Sequence, residues 1–71
     1  MIIIHNITSE ASKEVENICD ILTLTYSATL SFVSDELYDY EIDVSESQLV
    51  PFMIRFLHRI NNIEFERVEI Y

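Results

Sequence analysis

The chain has 71 residues, 49% of them hydrophobic, with 13 acidic and 4 basic side chains and a formal net charge of −9. That length allows one domain, 1–71, whose single core supplies a stability of about 3–5 kcal/mol, and so large an apolar share excludes a disordered chain. The charge repels nucleic acid and anionic membrane surfaces, so neither is expected as a direct partner; it points to a basic protein surface, to cations, or to solubility alone.

Cys19 is the only cysteine, so no intrachain disulfide can form. Met1-Ile2-Ile3-Ile4 is too short for a signal peptide and lacks its basic flank. No apolar run approaches the ~20 residues of a membrane span. These features predict a soluble, cytoplasmic protein. Glycine is absent, which removes the usual left-handed helix caps and every glycine-rich phosphate loop.

Met1 to Ile7 is apolar and β-branched, and reads as a buried central strand. Thr8 and Ser9 are N-cap candidates, and Ala11, Val15, Ile18, Cys19 and Leu22 follow at helical spacing, which predicts a helix over about 9–23. From Leu22 to Phe32 apolar and polar residues alternate, a strand pattern that overlaps the helix. Pairing across a turn near Ser34-Asp35-Glu36 with the alternating Leu37–Val44 places the strand's start near Tyr26.

Ser45 and Gln48 have capping-box spacing, with Ser47 a second cap, so a helix is predicted to about Asn61. Proline fits only the first turn, so Pro51 allows the regular part to begin as late as Val50 or Pro51. Ile63–Tyr71 reads as a last strand whose alternation slips, and a β-bulge near Glu66-Arg67 would restore it. The order β-α-β-β-α-β predicts an α+β fold, the ferredoxin-like plait: a four-stranded antiparallel sheet with two helices on one face. That fold implies no function.

Activities hosted by such plaits need residues this chain lacks: paired cysteines for metal carriage, or a glycine cradle and a cation for phosphate. No nucleophile–base constellation appears, and no cofactor is implied. His5 reads as a hydrogen-bonded structural residue, His58 as part of a solvated helix face beside Arg55 and Arg59, and Cys19 as a buried thiol. A non-enzymatic protein is expected.

The strongest local signal is Asp35–Glu46, which carries Asp35, Glu36, Asp39, Glu41, Asp43 and Glu46 and no base. On a strand, Tyr38, Tyr40, Ile42 and Val44 face the core, and Asp39, Glu41 and Asp43 form a carboxylate row on the other face, about 6.6 Å apart. The last strand adds Glu64 and either Glu66 or Glu69. Such a row is comparable to phosphates along one nucleic-acid strand, so a lysine- and arginine-lined groove built for DNA or RNA would accept it. In charge, size and lack of catalytic groups, the chain is similar to the small acidic inhibitors of bacteriophages and other mobile elements, such as anti-restriction and anti-CRISPR proteins. The likeness is one of profile and rests on no motif; it implies a nuclease complex or another nucleic-acid-binding protein as partner. The same row also solubilises a half-exposed strand and discourages edge pairing. A separate expectation concerns the second helix: its apolar residues span about 200°, against about 100° for an ordinary amphipathic helix. The surplus, Val50, Ile54 and Leu57, would seal a homodimer or dock a partner, the alternative being a small structural or assembly module.

Overall fold

Thr8 closes the first strand and caps the first helix at once. In the computed structural model, which describes residues 1–71, strand β1 runs Ile2–Thr8 and helix α1 Ser9–Leu22. Thr8 keeps an extended backbone, and its Oγ1 accepts the Ala11 N–H at 3.2 Å, satisfying one of the donors a helix start leaves free. Glu10 stands in the first turn, where the helix dipole favours a carboxylate. At the other end Thr23 takes the left-handed conformation (φ 57°). With no glycine in the chain, a β-branched residue fills the position glycine ordinarily holds.

Strands β2 (Thr25–Leu30) and β3 (Leu37–Asp43), helix α2 (Glu46–Arg59) and strand β4 (Arg67–Ile70) complete the chain. The sheet order is β2-β3-β1-β4, with every neighbouring pair antiparallel. This is the ferredoxin-like plait that the element order predicts. Ile2, Ile4 and Ile7 of β1, Tyr40 and Ile42 of β3, Val15, Ile18 and Cys19 of α1, and Phe52 and Phe56 of α2 meet in one buried core.

The register departs from expectation in β1, not β4. Ile2, Ile3 and Ile4 pair with Ile42, Glu41 and Tyr40, but Ile7 pairs with Tyr38, so one extra residue is inserted between Ile4 and Ile7. Asn6 absorbs it in the left-handed region (φ 54°), and its N–H donates to Asp39 Oδ1 at 2.9 Å. The bulge switches the core face from even to odd positions, which is why Ile2, Ile4 and Ile7 are all fully buried. The β1–β4 ladder is regular from Ile2↔Ile70 to His5↔Arg67, so the bulge expected at Glu66-Arg67 is absent. Ile63–Glu66 instead forms an irregular turn, held by Thr8 N–H to Glu64 O and Glu66 N–H to His5 O, both 2.9 Å.

Helix α2 starts at Glu46, with the predicted Ser45 at its N-cap, well before the latest start that Pro51 allowed, and Pro51 lies inside it. The carbonyl that proline deprives of a donor belongs to Ser47, which is exposed and open to water. The predicted capping box does not form. The Ser45 hydroxyl turns to Gln48 Oε1 (3.0 Å), and Gln48 Nε2 donates to Leu22 O (3.2 Å), tying the start of α2 to the end of α1.

Cys19 is fully buried. Burial first, then the Asp20 and Glu16 carboxylates, push its thiol up to about 11. Its pKa is thus raised above that of the unfolded chain, so the stability it contributes is present below the ordinary thiol value and is lost as pH rises towards 11. Native protein at pH 8 should resist iodoacetamide and react at the rate of a free cysteine in denaturant; fast labelling of the native state, followed by mass spectrometry, would contradict the burial.

Candidate partner-binding surface

One face of the sheet lies under the helices and the other is open. Because Tyr40 and Ile42 pair with Ile4 and Ile2 in the core, the alternate residues Asp39, Glu41 and Asp43 point to the open face. The β2 residues opposite them are Thr29, Ser27 and Thr25, all uncharged hydroxyl side chains. Glu41 and Asp43 are exposed and Asp39 is half-buried. None of the three takes part in an ion pair. The structure therefore brings the predicted row together, with unequal members: Asp39 is committed to the Asn6 N–H, while Glu41 and Asp43 are free.

The acids of the last strand are differently placed. Glu69 is on the open face opposite Ile3, where the Tyr71 hydroxyl, His5 and Arg67 Nε all bond to it. These bonds, Tyr71 foremost and then His5, hold its carboxyl below the usual carboxylate range. Glu66 accepts from the Asn6 side-chain amide and pairs with Arg67 Nη1 at 3.1 Å. Arg67 thus serves the β4 half of the face, and the β2–β3 half keeps its negative charge unopposed.

The other predicted acids do not join the row. Asp35 and Glu36 are exposed in the turn between β2 and β3, beside Phe32 and Val33, which are 106% and 74% exposed. Glu64 accepts the Asn61 N–H (3.0 Å) and borders a cleft with Glu10 and Glu36. Glu46 sits in the first turn of α2. Of the nine acids only Asp39, Glu41 and Asp43 form the row, because they alternate along one strand; Glu69 shares the open face from β4 but is bonded to Arg67, and turns, a helix start and the segment before β4 place the rest.

Two features of β2 have no counterpart in the sequence pattern. Phe32 continues the alternation of β2 and reads as a core residue, yet the strand stops at Leu30 and leaves its ring in solvent. Every residue of β2 is exposed, because α1 packs on β1, β3 and α2 and leaves β2 uncovered. The signal available was the composition Thr25-Tyr26-Ser27-Ala28-Thr29-Leu30, too poor in large apolar residues for a buried strand.

On α2, Val50, Ile54 and Leu57 are 64%, 52% and 67% exposed, a stripe at the expected positions. Arg59, on the opposite flank, reaches Glu14 of α1 at 3.8 Å, so the stripe is turned away from α1. His58 is exposed, and the Tyr40 hydroxyl donates to Glu16. Burial, then that bond, raises the Tyr40 phenol, which stays neutral. No three His, Cys, Asp or Glu side chains are placed to hold a metal ion. No helix is long and apolar enough to cross a membrane. In comparisons with known proteins, no family model, no curated protein and no solved structure matches this chain.

Proposed function

We propose that this chain is a non-enzymatic, cytoplasmic binding protein whose open sheet face occupies a basic, nucleic-acid-binding site of another protein. On this reading it inhibits the partner, in the manner of phage anti-restriction or anti-CRISPR proteins. The observation that carries the reading is the free carboxylate pair of Glu41 and Asp43, in line with Asp39 and bordered by the uncharged strand β2. Charges so exposed act over about 8 Å at physiological ionic strength, and steer a basic partner in a salt-dependent way. Glu41 and Asp43 have no ion pair to break before they meet lysines or arginines, whereas Glu69 would first have to leave Arg67.

The test is a pull-down from lysate at low salt, eluted by a salt gradient, with wild type and the double variant Glu41→Lys/Asp43→Lys. Asp39 is left intact because it anchors the β1 bulge. The double variant should keep its far-UV spectrum and lose the salt-eluted partner. Retained capture by the folded double variant would reject this surface.

The apolar flank of α2 supports a second reading, a small assembly module that homodimerises through Val50, Ile54 and Leu57. Val50, Ile54 and Leu57 are themselves uncharged, with Glu46 and His58 at the ends of their stripe, and joining two copies there keeps their carboxylate rows on other faces. Leu57→Glu should then convert a dimer to a monomer with little influence of salt. A wild-type monomer in light scattering at high concentration removes this reading.

A further inference from the structure

The sheet has two edges, β2 and β4, and they differ in kind. Strand β4 is four residues long and carries Arg67 and Glu69, the short and charged form by which proteins discourage strand addition. Strand β2 has six residues, no charge, no proline and no bulge, and its register with β3 is unbroken from Thr25↔Asp43 to Leu30↔Tyr38. The same register continues to the Ser31 N–H bond to Leu37 O (2.9 Å), which fixes the phase of the ladder. Thr25, Ser27 and Thr29 bond to β3, and Tyr26, Ala28 and Leu30 turn their N–H and C=O groups to the free edge.

We propose that the free edge of β2 accepts an extended, lysine- or arginine-bearing strand of a partner protein as a fifth strand of the sheet. The inference rests on the acidic-surface reading above and names how the partner is held. Main-chain bonds to Tyr26, Ala28 and Leu30 supply the affinity, and alternate side chains the specificity. On the helix side, a cleft between α1 and β2, apolar along Ala28, Leu30, Tyr38 and Tyr40 and polar along Lys13 and Glu16, takes alternate side chains of the incoming strand. On the open side, its other side chains lie over Thr25, Ser27 and Thr29. The row Asp39, Glu41 and Asp43 is then two strand spacings away, about 10 Å, within the span of a long basic side chain and its bonding distance. Charge decides the occupant. A second copy would bring its own carboxylate row and a further −9 to this edge, whereas a basic strand neutralises what is already there.

The probe is a blocked nonapeptide alternating lysine with valine and threonine, measured by fluorescence anisotropy at low salt. Three controls accompany it: the same peptide N-methylated at alternate amides, a glutamate-for-lysine peptide, and the protein variant Ala28→Pro with its fold checked by circular dichroism. Proline there removes an outward N–H and leaves the bonds to β3 in place. The lysine peptide should bind; N-methylation and Ala28→Pro should each weaken it by about tenfold or more; the glutamate peptide should not bind. N-methylation needs no change in the protein, so a poorly folded Ala28→Pro does not decide the outcome. Equal binding of the methylated and unmethylated peptides overturns strand addition while the acidic-surface reading stands. Failure of the lysine peptide to bind, with the salt-eluted partner still captured, does the same. Equal binding of the glutamate peptide overturns both. A wild-type dimer that Ala28→Pro dissolves gives the edge to a second copy and overturns the proposal.

Discussion

Phe56→Ala should leave the protein without a cooperative unfolding transition. Phe56 is fully buried, stacks on Phe52 at 6.0 Å between ring centroids, and meets Phe65 edge-on at 5.0 Å. Emptying such a site costs about 3–5 kcal/mol through lost transfer energy and the cavity left behind. The whole stability of a single-core domain this small is about the same. Phe65 adds to the effect, since it belongs to the irregular segment before β4 and depends on Phe56 for an apolar neighbour. Thermal melts followed by far-UV circular dichroism test this, with Phe56→Leu as the control that keeps most of the volume and should stay folded. A Phe56→Ala variant melting within a few degrees of wild type would mean that the core around α2 collapses to fill the space.

The second large effect is expected at Asn6, where backbone and side chain have separate roles. Its left-handed φ of 54° is tolerable for asparagine and unfavourable for a β-branched residue, by about 1–2 kcal/mol. Its side chain donates to Glu66 and accepts from the Ser31 hydroxyl, joining the end of β2 to the segment before β4. Asn6→Val loses both the conformation and these bonds, and should destabilise by about 2–3 kcal/mol in urea unfolding. Asn6→Gly keeps the conformation and loses only the side-chain bonds, so its cost should be smaller. If the two variants are equally stable, the bulge does not depend on the residue's backbone preference.

The two cases mark what local pattern reveals and where it stops. The alternation of Leu37–Val44 places Tyr40 and Ile42 inward and Asp39, Glu41 and Asp43 outward without reference to any other segment, because a strand's side chains alternate with a period of two whatever it pairs with. The helical spacing of Ala11, Val15, Ile18 and Cys19 behaves likewise, and all four are buried. From the sequence alone, the slip in Ile63–Tyr71 predicts a bulge within that strand. In the structure the strand is simply shorter, and the bulge belongs to β1, opposite Asp39. A change of phase in a sequence marks either a bulge or the end of a strand, and only the pairing with the neighbouring strand distinguishes them.

The order of elements, the plait they build and a line of carboxylates on one side of β3 are all legible in the residues, since each follows from periodicity within a segment and from the handedness of the crossovers. Which carboxylates stay free depends on long-range contacts, because Asn6 and Arg67 reach Asp39, Glu66 and Glu69 from other elements. So does the bareness of the β2 edge, where Leu30 is exposed and the Tyr26 ring is covered only on one side, by Tyr40. Exposure depends on which helix lies over a strand and which strand lies beside it, and neither is written in the six residues of the strand itself.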